Sequence, residues 1–230
     1  MPVSMYRFRE AIGAFFEVPV ALAAECLGGR REPLEVSHGL GVLAVSAFDF
    51  VQSEVGAYRE LVLSVLTPPQ VPRGGAWPRS AFFPFLIGTS SEASRHHGMT
   101  RWHLPHYPRD IALTFEVQAN RLSMHAHERA QPIVALEVRG GPWSQAQQLY
   151  QLFSAAGGQL HQADVRMGGL VSEHEEETGR LVSHNHPMST RLAAIDHASR
   201  PFREVWIRNG VQSIEDRQLP AIPRPRLPSP

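Results

Sequence analysis

Hydrophobic and polar positions alternate with a period of two along much of this chain. In Tyr58–Leu66 (YRELVLSVL), Leu61, Leu63 and Val65 fall on one face. Tyr58, Glu60, Val62, Ser64 and Leu66 fall on the other. Ile111–Ala119 repeats the pattern, with Ile111, Leu113, Phe115 and Val117 together. Successive side chains of a strand point to opposite faces, so both segments predict strands. Arg121–Glu128 and Ile133–Arg139 continue the meander up to Gly140, Gly141 and Pro142. Leu40–Phe50 is apolar and β-branched enough for a buried strand. Ala81–Ile87 is strand-like, but Pro84 confines it to an edge or a bulge. Leu160–Val171, Leu181–His186 and Phe202–Val211 are further strands, the last carrying Asn209-Gly210 as a turn signal. Ser144–Phe153 fits helix and strand equally.

Helical patterns are few. Val18–Leu27 is amphipathic, with Pro19 in its first turn and Gly28-Gly29 at its end. Ser90 caps a short helix through His97, closed by Gly98, and Ser189 caps another through Ala198. Many short strands and few helices predict an α+β, mainly β domain: an antiparallel barrel or sandwich with peripheral helices. The Pro-rich stretch Leu219–Pro230 lacks a core pattern, so the chain divides into a single domain over 1–218 and a tail over 219–230. The acidic run Glu173–Glu177 predicts a solvated turn.

Composition narrows the function classes. With 230 residues, 43% of them hydrophobic, the chain can bury a sizeable core. A formal net charge of +0 argues against a general nucleic-acid binder or a basic membrane-surface protein. Cys26 is the only cysteine, so no disulfide framework or cysteine zinc motif exists. Arg7, Arg9 and Glu10 interrupt the N-terminal apolar pattern, which does not read as a signal peptide. A cytoplasmic protein is expected, without membrane or nucleic-acid partners. All 22 basic residues are arginine. Without a lysine side chain, no lysine Schiff base can form.

The connection Gly98–Asp110 (GMTRWHLPHYPRD) concentrates two histidines, aromatics, arginines and prolines, a composition suited to a pocket wall on a rigid scaffold. Several pieces around it resemble the acetoacetate decarboxylase-like family. They are Glu32-Pro33-Leu34-Glu35-Val36, Gly56-Ala57-Tyr58-Arg59-Glu60-Leu61, the Glu92–Gly98 helix leading to Pro105, and Phe202-Arg203-Glu204-Val205 followed by Leu219-Pro220. The resemblance implies a cone-shaped β-barrel, assembled as a homo-oligomer, that acts on short keto acids through a lysine imine without a cofactor. The lysine pair of that family falls here on His106 and Tyr107. Glu60 matches one family glutamate, the second falls near Val45–Ala47 where no carboxylate stands, and Arg7 or Arg9 matches the arginine that meets the substrate carboxylate.

These matches lead to a small-molecule enzyme, decarboxylase- or lyase-like, that acts on a carbonyl-containing organic acid without an imine. His106 and Glu60 would be the catalytic acid/base pair. Arg7 or Arg9 would hold the anionic group, and Trp102 and Tyr107 would shape the pocket. A non-catalytic ligand-binding barrel is the alternative. A metal-dependent enzyme is another, because His125/His127 and His184/His186 each share a face if their strands are regular. No metal or other cofactor is expected in the leading reading.

Overall fold

The computed structural model describes residues 3–194 and 200–217. The Pro-rich tail and the end of the helix expected through Ala198 lie outside the described residues. No helix among those described is long and apolar enough to cross a membrane.

The elements follow in order β1 (Ser4–Pro19), α1 (Val20–Leu27), β2 (Glu35–Ser37), β3 (Leu40–Gln52), β4 (Tyr58–Leu66), β5 (Ala81–Thr89), α2 (Glu92–Arg101), β6 (Ala112–Gln118), β7 (Arg121–Glu128) and β8 (Gln131–Arg139). After them come β9 (Trp143–Ala156), β10 (Gln159–His174), β11 (Arg180–Ser183), a 3₁₀ helix (Pro187–Ala194) and β12 (Arg203–Arg217).

Pairing runs β1-β12-β10-β9-β5-β4-β3, and β3 pairs back to β1. Seven strands therefore close into a ring, with β2 appended to β3. Closure removes the exposed sheet edges that would otherwise template aggregation. One seam is different. β5 and β9 run parallel and pair only through Ala81↔Gln151 and Phe82↔Leu152. A second, four-stranded sheet, β11-β8-β7-β6, covers one side of the ring.

The alternation of β4 sorts its residues between two cores. Leu61, Leu63 and Val65 point outward into the core shared with Met124, Leu136 and Val138 of the second sheet. Tyr58 points inward, where it packs with Tyr6, Phe8 and Phe50. Burying such side chains contributes roughly 1.5–3 kcal/mol each.

Some local expectations hold and others change. Pro84 sits at a bulge, where Leu63↔Leu86 is followed by Ser64↔Pro84. The missing N–H of proline is harmless there. Ser144–Phe153 is strand, inside β9. Asn209-Gly210 is not a turn. β12 continues through it to Arg217, with Asn209 at φ 48° and a register shift against β10. The left-handed residue kinks the long strand around the ring. The helix expected from Ser189 is a 3₁₀ helix starting at Pro187. Ser189 is instead a buried residue within it, and its Oγ donates to the His186 carbonyl at 3.0 Å. Val18 and Pro19 belong to β1, and α1 starts at Val20. α2 is capped by Ser91, whose hydroxyl accepts the Ser94 N–H, and it runs past Gly98 to Arg101. Ser90 instead accepts the Arg59 N–H at 2.8 Å. The acidic run is only partly solvated, because Glu173 pairs with Arg79 at 2.7 Å and Arg203 at 2.6 Å.

Candidate active site

Residues of all seven ring strands line a half-open cavity of about 140 Å³. An apolar cavity of roughly 150 Å³ holds one benzene-sized molecule. Its wall is dominated by Phe15, Phe48, Phe82, Leu152, Met167 and Ile207. Ser46, Ser64, Gln151 and Gln212 add neutral polar groups. Small residues on β1, Ala11 and Gly13, leave the space open.

Glu60 is on this wall. Its strand period places it beside Val62 and Ser64, both of which also line the cavity. It is half-buried, because it borders the cavity. No hydrogen bond or ion pair from another described residue supports its carboxylate. Burial alone therefore pushes its pKa up to about 8. The neighbouring hydroxyls carry no charge at neutral pH: Tyr6 is pushed up to about 12, first by burial, with the nearby Glu60 contributing. Tyr58 is also raised by burial and by Glu60.

His106 stands at the parallel seam. The Ile87 N–H donates to the Pro105 carbonyl at 2.8 Å, and the Tyr107 N–H donates to the Ile87 carbonyl at 2.7 Å. His106 thus forms a parallel bridge with Ile87, and Ile87 lines the cavity. On the other flank, Ser154 Oγ of β9 donates to the Trp102 carbonyl at 2.7 Å. The loop fills the gap where β5 and β9 part. From this loop it is Leu104, rather than His106, that reaches the cavity wall. The imidazole lies under Gly98 of α2, with both ring nitrogens buried and without a protein hydrogen bond. Burial, with Arg95 nearby, lowers its pKa to about 4, so the ring is neutral.

The other expected site residues lie elsewhere. Arg7 and Arg9 point to the exposed face of β1. Arg9 pairs with Asp49 at 3.5 Å, and neither arginine borders the cavity. Trp102 Nε1 donates to the Tyr6 hydroxyl at 3.2 Å, and that hydroxyl shares a hydrogen bond with Nε2 of His97 at 3.1 Å. Trp102 borders a separate, polar cleft with His103, His161 and Asp216. Tyr107 donates to Glu128 at 2.7 Å and accepts from Arg109 at 2.7 Å, inside the core under the second sheet. Trp77 is 75% exposed on its loop.

The paired histidines do not meet. His125 and His184 are exposed, whereas buried His186 bonds Glu128 at 3.1 Å. Among the described residues, no three His, Cys, Asp or Glu side chains converge as metal ligands. Sequence reasoning missed the cavity residues of β1, β9, β10 and β12. The Tyr6/Phe8 against Arg7/Arg9 alternation was the available signal for β1.

No known family profile matches the sequence. No curated protein sequence matches it either. Solved structures do. The enduracididine biosynthesis enzyme MppR, complexed with pyruvate, superposes with a TM-score of 0.63 at 9% identity, over 94% of this chain and 90% of that one. An acetoacetate decarboxylase-like enzyme from Sphingomonas wittichii RW1 gives 0.60 at 14% identity, over 95% and 92%. Acetoacetate decarboxylase from Legionella pneumophila gives 0.58 at 15% identity, over 92% and 87%. The chain has the acetoacetate decarboxylase-like fold.

Proposed function

We propose that this chain is a small-molecule enzyme that performs acid/base chemistry on a carbonyl compound, decarboxylase- or lyase-like in kind, without an imine. The observation that carries the reading is Glu60, an unpaired carboxyl group on the wall of an apolar cavity, with a pKa raised to about 8. A group near neutrality serves as acid and base in turn. As carboxylate, Glu60 takes a proton from the carbon next to the carbonyl. The C–H electron pair moves through the new C=C bond to the oxygen as an enolate. Ser46, Ser64 and Gln212 offer neutral hydrogen-bonding groups around the cavity. Return of the proton to carbon regenerates the carboxylate. Decarboxylation, dehydration and aldol cleavage all pass through such an enolate.

In this reading His106, Trp102 and Tyr107 act by holding the seam loop and Leu104 in place. Arg7 and Arg9 supply no contact to a ligand in the cavity. The enzyme is expected to be a homo-oligomer that works without a cofactor. The names of the solved relatives support the reading, since acetoacetate decarboxylase and a pyruvate complex both concern small carbonyl acids.

The test is exchange of the protons next to the ketone of levulinate and of acetonylacetone in heavy water, followed by NMR. The full chain should accelerate exchange, and Glu60→Gln should lose about 10²–10⁴-fold of that acceleration. Equal exchange by the two proteins would refute the role of Glu60. Binding without exchange would favour the alternative of a non-catalytic ligand barrel.

A further inference from the structure

The cavity wall has an unusual charge balance. Glu60 and Tyr150 are its only ionisable side chains among the described residues, and no arginine or histidine borders it. The arginines matched to a substrate carboxylate face solvent on β1. A carboxylate entering this space would leave water, meet aromatic and aliphatic side chains, and find no cation. An unpaired buried charge of this kind costs several kcal/mol. When Glu60 is ionised, it would add like-charge repulsion. A ketone, aldehyde or ester has no such cost. Its oxygen accepts one hydrogen bond, and a neutral carboxyl on the wall has one to donate.

We infer that the cavity selects uncharged carbonyl compounds over the matching carboxylates, because Glu60 is an unpartnered carboxyl on a wall without cations. This rests on the proposed site and deepens it by naming the ligand class. That class narrows the reaction there to proton transfer, dehydration or aldol cleavage, since a decarboxylation substrate carries the carboxylate that the cavity disfavours. It also separates the two halves of the resemblance: the carbonyl half has a partner in the cavity, and the acid half does not. The wall is narrow enough to limit the ligand to a small molecule, with a cavity of about 140 Å³.

Acetonylacetone and levulinate make a matched pair, since they differ by a terminal methyl group against a carboxylate oxygen. Each is titrated calorimetrically into the full chain at neutral pH. Acetonylacetone should bind at least about tenfold more tightly than levulinate. Leu104→Trp, which narrows the cavity from the loop, should weaken the diketone. Equal or tighter binding of levulinate overturns the inference, as does failure of acetonylacetone to bind at millimolar concentration. Diketone binding untouched by Leu104→Trp in a folded variant also overturns it, by placing the site elsewhere. The two readings fail separately. A preference for levulinate alongside Glu60-dependent exchange removes the ligand class and leaves the proton chemistry. A diketone preference with exchange indifferent to Glu60→Gln does the reverse.

Discussion

Gly98 and His106 occupy one space. A methyl group built on Gly98 would overlap the His106 ring at Nε2. Glycine inside a helix costs about 1 kcal/mol relative to alanine, and here it stands within α2 and is buried. The helix carries it because the imidazole of the seam loop lies directly beneath. Gly98→Ala should destabilise the protein by roughly 1–3 kcal/mol through overpacking. In a His106→Ala background the same change should become neutral or stabilising by up to ~1 kcal/mol. Urea denaturation of the four proteins measures this as a double-mutant cycle. Additive effects would show that the ring and the helix do not share the space.

The neutral, unpaired ring of His106 also makes stability depend on pH. Its pKa is lowered from 6.5 to about 4, chiefly by burial. Between those values the unfolded chain binds the proton that the folded chain refuses, so stability rises with pH across that window. The swing is on the order of 3 kcal/mol at most. His106→Gln should flatten it in denaturation series run from acid to neutral pH. An unchanged slope would mean that the ring ionises freely in the folded state.

Glu60 works in the opposite direction. Its pKa rises from 4.5 to about 8, so the folded chain holds a proton that the unfolded chain has released. Stability therefore falls as pH climbs between those values and levels off above them. Glu60→Gln is permanently neutral and should be the more stable protein above pH 8, by roughly 2–5 kcal/mol. Below about pH 4 both chains carry a neutral group and the difference should close. The same titration would appear directly as a shifted carboxyl carbon resonance in NMR. A midpoint near the ordinary glutamate value would remove the apolar cavity as the cause.

Glu60 was legible in the sequence for two reasons that agree: the period of two put it on the face opposite Leu61 and Leu63, and the Tyr-x-Glu pattern resembled a known position. The mainly β character was legible in the same way. Ring closure was not, because β1↔β3 and β5↔β9 are pairings between distant segments that leave no local periodicity. The true neighbours of Glu60 come from those strands, so its apolar surroundings could not be read from β4 alone. His106 shows the limit of matching by position. Its place at the seam follows from the chain path, whereas the direction of its ring depends on Gly98 in the preceding helix. Gly98 itself read as a helix stop, because glycine usually ends helices. A tertiary contact reversed that meaning. Asn209-Gly210 changed from turn to kink by the same logic, since β12 must bend while staying paired on both sides.

Glu204 joins the barrel to the second sheet, and nothing in its local pattern announced this. It is fully buried on β12. Its carboxylate accepts the Arg139 N–H at the end of β8 at 3.0 Å, and the Thr178 and Gly179 N–H groups before β11 at 2.7 Å each. The Thr178 hydroxyl donates to it at 3.1 Å. Three backbone donors from the second sheet thus converge on one barrel side chain. Glu204→Ala would leave them buried without an acceptor, at roughly 1–3 kcal/mol each before relaxation admits water. A total loss of about 3–5 kcal/mol is expected in urea denaturation. Glu204→Gln keeps one acceptor oxygen but turns an amide N–H₂ toward the donors, so its loss should be smaller. Hydrogen exchange provides the local readout. The Thr178 and Gly179 amides should exchange much faster in Glu204→Ala, while amides in the β3–β4 ladder change only with global stability. Unchanged protection at Thr178 and Gly179 would show that another group holds the turn against the barrel.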